Sequence, residues 1–129
     1  MPDLFLLFNH TFTKVQQAGA RQDLKVDRIL VPPATVQEIW SSIPPDLEEI
    51  FTYLQPVLQW LESTAQHGDY VLVQGDFGAC CLVARHARQS GLIPVYSTTF
   101  RQSEERHLPD GRVELIHTFR HVRFRRFEM

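Results

Sequence analysis

The chain has 129 residues, the usual size of a single domain, and its composition of 43% hydrophobic and 22% charged residues suits a folded protein with a buried core. The 13 Lys and Arg are balanced by 15 Asp and Glu, which excludes a strongly basic nucleic-acid-binding protein but allows a local basic patch. No apolar run approaches the roughly 20 residues that cross a bilayer, so a membrane is not an expected partner. The charge balance gives no reason to expect DNA as a partner either.

The first forty residues predict two short strands, each followed by a helix. Residues 4–8 form an unbroken apolar run, which is typical of a strand covered on both faces of a parallel sheet. Thr13 and Gln16 have the spacing of a capping box, which predicts a helix that starts there and fades near Gly19. The other two elements predicted in this part are a strand and a helix, at residues 28–31 and 35–43.

The most regular apolar pattern begins after the prolines at positions 44 and 45. Hydrophobic residues recur every three or four positions between Leu47 and Leu61, which predicts an amphipathic helix that starts near residue 44. Pro56 lies inside this pattern and should kink the helix or divide it in two.

The next part of the chain predicts a strand, a helix and another strand. Residues 70–74 are strand-like, and residues 79–90 are helical in pattern. Gly91 is well placed to end this helix in a left-handed conformation, before a further strand over residues 92–96.

A hairpin closes the sequence, because turn residues 109–111 separate extended stretches at residues 100–107 and 112–126. In the second stretch apolar residues alternate on one face up to Phe119, and the phase slips before Val122. The order of elements predicts an α/β fold: a mainly parallel sheet flanked by helices, with a C-terminal antiparallel hairpin.

The two cysteines, Cys80 and Cys81, are neighbours, and a disulfide between adjacent residues is strained and rare. With no distant partner for either, we expect both to be reduced and buried as small helix residues. The acidic start of the chain shows no secretory signal. These features predict a cytoplasmic protein.

Three of the predicted strands end in polar residues. In an open α/β sheet, ligands bind beyond the carboxyl ends of the strands, because loops and helix N-termini meet there. If the strands are parallel, the three polar ends lie on one edge and form a ligand-binding site. Its candidate residues are Asn9, Thr11, Gln74, Gly75, Asp76, Phe77, Gly78, Ser97, Thr98 and Thr99.

Residues 75–78 form a turn whose two glycines allow close backbone approach to a ligand, just before the free N–H groups of a helix. The turn matches neither a Walker loop nor the three-glycine dinucleotide fingerprint. Asp76 either caps the helix or accepts a hydrogen bond from a ribose hydroxyl. Phe77 either packs into the core or stacks on a base.

His10 follows the first strand and is a candidate general acid, general base or phosphate-binding donor, unless its role is structural. The hydroxyls of residues 97–99 suit a phosphate site, although threonine is also ordinary in strands. The six histidines show no spacing typical of metal ligands, and the nucleophile elbow of a serine hydrolase is missing.

The stretch from His117 to Arg126 carries four arginines and no acidic residue. Arginines interleaved with aromatic residues suit a nucleotide or another polyanion. A solvated edge strand protected against aggregation explains the same pattern. On a strand, Arg123 and Arg125 would share one face.

Five stretches of the sequence together resemble a known family over nearly the whole chain. They are Leu-Phe-Leu-Leu-Phe-Asn-His-Thr at 4–11, Trp-Ser-Ser-Ile-Pro-Pro at 40–45, Gly-Asp-Tyr-Val-Leu-Val-Gln-Gly-Asp-Phe-Gly-Ala at 68–79, Gly-Leu-Ile-Pro-Val-Tyr-Ser-Thr-Thr at 91–99 and Phe-Arg-His-Val-Arg-Phe-Arg at 119–125. In this set and order they resemble the CRISPR-associated Csx-twenty family.

The resemblance implies a single Rossmann-like domain over residues 1–129, similar to the CARF sensor domains of type III CRISPR systems. Such proteins are homodimers that bind a cyclic oligoadenylate across their twofold axis, and the family is regarded as ring nucleases that linearise this second messenger. Cyclic tetra-adenylate is the expected ligand. The expected reaction uses no metal or other cofactor: a ribose 2′-hydroxyl attacks the adjacent phosphorus and leaves a 2′,3′-cyclic phosphate.

With this activity in view, residues 75–78 are expected to bind phosphate or ribose, and residues 97–99 to line the same floor. The expected catalytic residues are His10, as proton donor or acceptor, and Arg123, which would stabilise the charge of the phosphorane. Two alternatives remain. The protein could sense or sequester the cyclic nucleotide without cutting it, or it could bind RNA through its arginine-rich tail.

Overall fold

A computed structural model describes all 129 residues of the chain. The five strands are β1 (Leu4–Leu7), β2 (Ile29–Leu30), β3 (Tyr70–Val73), β4 (Ile93–His107) and β5 (Val113–Arg126). The four helices are α1 (Lys14–Asp23), α2 (Ala34–Ser41), α3 (Gln55–Thr64) and α4 (Phe77–Gln89).

All five strands form one sheet, in the order β2-β1-β3-β4-β5. β1 pairs in parallel with both β2 and β3, and β3 pairs in parallel with β4. β5 runs antiparallel to β4 and forms the edge of the sheet. The prediction of a mixed α/β fold with a mainly parallel sheet and a C-terminal antiparallel hairpin is confirmed.

Helices cover both faces of the sheet. The alternate side chains of β1 point to opposite layers, with Leu4 and Leu6 in the core that includes Ala20 of α1, and Phe5 and Leu7 in the core formed with α2, α3 and α4. All four β1 side chains are at most 5% exposed. The unbroken apolar run therefore belongs to a strand buried on both faces, as predicted.

The capping box at the start of α1 is present as the spacing predicted. The Thr13 hydroxyl accepts from the Gln16 backbone N–H, and the Gln16 carboxamide accepts from the Thr13 backbone N–H. The prediction that this helix fades near Gly19 was wrong, because α1 continues to Asp23. Ala20, the residue after Gly19, is fully buried against the sheet, so tertiary packing overrides the weak helix propensity of glycine.

The predicted start of the long helix, near residue 44, was also wrong. Residues 45–54 form turns and bends, and α3 begins only at Gln55, with Pro56 in its first turn. Proline has no N–H to donate and its ring clashes with the carbonyl four residues earlier, so it starts a helix readily but interrupts one. Two apolar side chains of the turn segment stay exposed, Leu47 at 42% and Phe51 at 56%.

The C-terminal hairpin differs from the prediction in length. Residues 92–96 and 100–107 were predicted as separate stretches, but β4 runs without a break from Ile93 to His107. The hairpin turn contains Gly111 at a φ of +88°, a left-handed conformation that suits glycine. Ser97, Thr98 and Thr99 therefore lie within a strand rather than after its end.

Beyond the main sheet, β4 and β5 continue as a two-stranded ribbon over residues 99–107 and 113–121, here named the β-arm. Nearly all its side chains are exposed. Because β4 is parallel to β1 and β3, the β-arm projects from the carboxyl edge of the sheet. At its base Thr98 pairs with Arg123 and Thr99 with His121, which leaves Val122 as the extra residue of a β-bulge. The predicted change of phase in β5 is this bulge.

Cys80 is half-buried and Cys81 exposed, so the expectation that both are buried is wrong for Cys81. Burial of Cys80 raises the pKa of its thiol to about 11, which keeps it protonated near neutral pH. Among the helices, none has the length and apolar character that crossing a membrane requires.

Candidate functional site at the carboxyl edge of the sheet

Three polar segments, far apart in the chain, meet at the carboxyl edge of the sheet. Asn9 follows β1 and Gly75 follows β3, and a Cβ placed on Gly75 would lie 3.3 Å from the Asn9 amide nitrogen. The side chain of Gln74 then joins β3 to β4, because its Oε1 accepts from the backbone N–H of Ser97 at 2.8 Å. These contacts bring the three segments side by side, as the parallel arrangement predicted.

A cavity of about 390 Å³ lies between this edge and the base of the β-arm. Its ten lining residues include five of the predicted site residues and no acidic side chain. The predicted members are His10, Thr11, Gln74, Ser97 and Thr99; the others are Phe8, Thr13, Gln16, Phe119 and His121. A cavity with many hydrogen-bonding groups and no carboxylate is suited to an anionic or neutral polar ligand.

A second cavity, of about 610 Å³, lies on the other side of the loop that follows β1. The two cavities share Phe8, His10 and Thr11, and Asn9 lines the second one. The loop between β1 and α1 is therefore a ridge exposed to two adjoining cavities. His10 is an exposed residue on this ridge, and its ring lies edge-on to Phe8, with the two ring centres 5.4 Å apart.

The floor of the smaller cavity contains a network of polar side chains around Ser97. Its hydroxyl lies 2.5 Å from Nδ1 of His121 and 3.3 Å from Nε2 of Gln16. Ser97 is only 7% exposed, and Gln16 is buried as well. Burial lowers the pKa of His121, against the smaller opposing effect of the Asp23 carboxylate, so the imidazole is neutral near pH 7.

The turn before α4 is built by a helix cap and a close backbone approach. The Asp76 carboxylate accepts from the backbone N–H of Ala79, which confirms the capping alternative for this residue. The alternative that Phe77 packs into the core is wrong, because its side chain is 95% exposed. Gly75 lies against Trp40, whose indole N–H donates to the carbonyl of Gln74 at 3.0 Å. The turn therefore presents its backbone and one bare aromatic ring to solvent.

Arg123 lies apart from His10. Its side chain lines a separate depression with the end of α1, at Gln22, Asp23 and Leu24, and contributes nothing to the walls of the two cavities at the sheet edge. Thr98 is engaged with the same strand, since its hydroxyl donates to the Arg123 carbonyl and accepts from the Arg123 N–H. Neither residue joins the cluster that contains His10.

Five lining residues were missed as site residues, and two of them, Gln16 and His121, form the polar network with Ser97. The capping-box spacing had given Gln16 a purely local role, and His121 had appeared only as part of a basic tail. The signal for His121 lay in the phase slip of β5, because the bulge at Val122 turns the imidazole toward α1 and Ser97. Without knowledge of the pairing register, sequence could not place that ring against Ser97.

The fold and the site define a small α/β domain with a cavity, lined mainly by polar residues, at the carboxyl edge of its sheet. By sequence, the chain belongs to the family described as "Uncharacterized protein MJ1673 family", whose model matches residues 2–125. It is 46% identical over 127 residues to "Uncharacterized protein MJ1673" of Methanocaldococcus jannaschii, and the similarity covers 98% of each chain. No solved structure matches.

Proposed function

We propose that this protein binds a cyclic oligoadenylate at the carboxyl edge of its sheet and linearises it. The activity is the one that resemblance to the CRISPR-associated Csx-twenty family implies. The observation that carries the proposal is the cavity that gathers His10, hydroxyl groups and carboxamides without any carboxylate. Phosphodiesters need donors of this kind, and an acidic wall would repel them.

The strand order supports a nucleotide as ligand. We include in the proposal that the domain is Rossmann-like, since β2-β1-β3-β4 is the order of doubly wound sheets whose ligands bind between the first and third strands. The chain after β1 leads through α1 to β2, and the chain after β3 leads through α4 to β4 in the opposite direction, so a crevice opens between β1 and β3. Asn9 and Gly75 stand on the two sides of this crevice.

Size supports a twofold arrangement. A cavity of about 390 Å³ is at the lower end of the range of about 300–1,000 Å³ that holds a drug-sized ligand, so it suits one nucleotide unit rather than a ring of four. In a homodimer, the smaller cavity of each protomer would receive one unit of the same symmetric ring. Among such rings, the family resemblance implies cyclic tetra-adenylate.

The expected chemistry is intramolecular. The ribose 2′-hydroxyl attacks the neighbouring phosphorus, the bond to the 5′-oxygen breaks, and the product ends in a 2′,3′-cyclic phosphate. The reaction depends on holding the 2′-oxygen, phosphorus and 5′-oxygen in line, and on donors to the phosphate oxygens. His10, exposed at the ridge between the two cavities, protonates the departing 5′-oxygen.

The exposed end of α4 is the second part of the binding surface. Residues 75–78 line neither of the two cavities, and the Asp76 carboxylate at this turn favours a ribose hydroxyl over a phosphate. Phe77 offers a bare ring on which adenine can stack. Arg123 lies in a different depression from His10, so its role within one protomer would be to attract the polyanion rather than to contact the reacting phosphorus.

The test is incubation of the purified protein with cyclic tetra-adenylate in EDTA, followed by chromatographic separation of ring and linear products. Cleavage is expected, and His10→Ala should slow it by about 10²-fold or more. His107→Ala is the matched control, since His107 lies at the exposed end of the β-arm and should leave the rate unchanged.

Two other outcomes distinguish the competing functions. A ring that co-elutes with the protein but stays intact would refute cleavage and favour sensing or sequestration. Linear oligoadenylate that binds as tightly as the ring, with a steep dependence on salt, would favour an RNA-binding module that uses the arginine-rich tail. Cleavage at the wild-type rate by His10→Ala would remove His10 from the mechanism.

A further inference from the structure

We propose that Ser97 and His121 form the proton-accepting pair of the cavity: the Ser97 hydroxyl takes the proton of the attacking 2′-hydroxyl and passes its own proton to Nδ1 of His121. The inference rests on the proposed function, because it assigns the base for that cleavage. Both residues line the cavity, and Ser97 is the catalytic residue of the pair because its hydroxyl would meet the 2′-oxygen, while His121 accepts the proton from Ser97.

The capping box of α1 orients the Gln16 carboxamide toward Ser97. Gln16 Oε1 accepts from the backbone N–H of Thr13 at 2.9 Å, which fixes the orientation of the carboxamide. Its nitrogen, Nε2, therefore faces the Ser97 oxygen and can only donate to it, at 3.3 Å. The Ser97 oxygen keeps a second lone pair and its own hydrogen, and in the proposed pair that hydrogen goes to Nδ1 of His121, 2.5 Å away.

The proposed pair requires one tautomer of His121. A Nδ1 atom that accepts from Ser97 carries a lone pair, so the ring proton is on Nε2. Nε2 itself is buried and has no hydrogen-bond partner. It lies against the backbone of α1, where a Cβ on Gly19 would be only 3.1 Å from it. Glycine at this position leaves room for the imidazole, and Nδ1, the ring nitrogen that carries the lone pair, points toward Ser97.

The surroundings of His121 suit a base that is neutral before the reaction. Its ring packs against Phe124, with the ring centres 4.5 Å apart, and desolvation lowers its pKa. Asp23 of α1 opposes this effect, His10 is the other titratable group of the cavity, and Arg123 lies beside Asp23. The Asp23 carboxylate favours the imidazolium that forms when the ring accepts the proton.

The proposed step conserves atoms and charge. The 2′-oxygen forms a bond to phosphorus while the bond from phosphorus to the 5′-oxygen breaks. One proton moves from the 2′-oxygen to Ser97 Oγ as another moves from Ser97 Oγ to His121 Nδ1, and the 5′-oxygen receives a proton from His10. After product release, His121 returns its proton to solvent and His10 regains one.

The β-arm supplies a matched control for the test. Ser103 and His117 form the same kind of cross-strand pair, with the hydroxyl 3.0 Å from Nδ1, but both residues are exposed and line no part of the cavity. His121→Asn keeps a polar atom near the position of Nδ1 but cannot accept the proton. His117→Asn removes an imidazole from the same strand without touching the site.

The first measurement is the pH profile of kcat for cyclic tetra-adenylate cleavage. In the wild type, kcat should rise with pH until His121 is neutral, which happens below the ordinary pKa of histidine. His121→Asn should lower kcat by about 10²-fold or more and abolish the acidic limb, with ring affinity changed by no more than about threefold. Ser97→Ala should behave in the same way, and His117→Asn like the wild type.

The second measurement needs no substrate. Nitrogen-15 NMR of the imidazoles should show His121 neutral near pH 7, with the proton on Nε2, and Ser97→Ala should shift the Nδ1 resonance. A charged ring or a proton on Nδ1 would overturn the pair. So would wild-type kcat and an unchanged pH profile in His121→Asn, while the proposed function would survive. A wild-type protein that cuts no ring would overturn the proposed function and the role of the pair together.

Discussion

Gly75→Ala is a small change with a calculable cost, because the added methyl group meets a side chain that cannot move away. Its Cβ would lie 3.1 Å from Nε1 and 3.2 Å from Cε2 of Trp40, both closer than ordinary van der Waals contact. Trp40 is 1% exposed and is held by the hydrogen bond from its indole N–H to the Gln74 carbonyl. The methyl group also meets Asn9, which is exposed and free to turn.

The expected loss of unfolding free energy is about 2 kcal/mol. Overpacking of a rigid interior costs about 1–3 kcal/mol, and weakening the indole hydrogen bond adds a share of the roughly 0.5–1.5 kcal/mol that such a bond contributes. The measurement is urea unfolding followed by circular dichroism, in which the midpoint should fall with little change of slope. Gly78→Ala is the matched control, since its Cβ would meet nothing closer than 3.5 Å.

A double-mutant cycle tests the cause. In Trp40→Phe the indole nitrogen is gone, so Gly75→Ala should cost less than about 0.5 kcal/mol in that background. The reasoning would be refuted if Gly75→Ala were as stable as the wild type, or if its cost were the same with and without the indole.

Three further substitutions test the local structure. Asp76→Ala removes the cap of α4 and should lower the free energy of unfolding by about 0.5–2 kcal/mol, measured by the same urea titration. Gly91→Ala puts a side chain at a φ of +79° and into the ring of His67, so a loss of about 1–2 kcal/mol or more is expected; equal stability would contradict the assigned conformation. The hydrogen bond from Arg28 lowers the pKa of Asp3, which stabilises the fold above pH 3.8 and loses this effect as the pH falls below that value. Acid unfolding of Asp3→Asn should therefore depend less on pH in that range, and an unchanged dependence would show that the pair contributes nothing.

Features that depend on a few neighbouring residues were predictable from sequence. The capping box needs only Thr13 and Gln16 at the correct spacing, and both of its hydrogen bonds are present. Gly91 was expected to end a helix in a left-handed conformation, and its φ is +79°. The apolar run of β1 predicted a strand covered on both faces, because no other environment accommodates four consecutive buried side chains so easily.

Periodicity failed where two explanations fit the same apolar spacing. Between Leu47 and Leu54 the hydrophobic residues recur at helical intervals, yet only Leu54 is fully buried. The prolines of this region remove backbone donors, so the chain turns instead of extending a helix. Spacing alone cannot show that only one side chain of such a segment is buried in the core.

The candidate site was predicted in outline but not in its detailed contacts. Parallel strands place their carboxyl ends together, so the approach of Asn9, Gly75 and Ser97 followed from topology. The Ser97–His121 contact depends instead on the antiparallel register and on the bulge at Val122, which are long-range properties. For the same reason, the sequence could not show that His10 and Arg123, both expected to be catalytic, lie in separate depressions.

The β-arm has a consequence for how the molecule fluctuates. A two-stranded ribbon with exposed side chains on both surfaces lacks the tertiary packing that slows amide hydrogen exchange in the five-stranded sheet. Protection should therefore decline from Thr99 toward Gly111, independently of the global unfolding equilibrium. Shortening the ribbon should therefore cost the domain little stability while it changes how far the tip reaches.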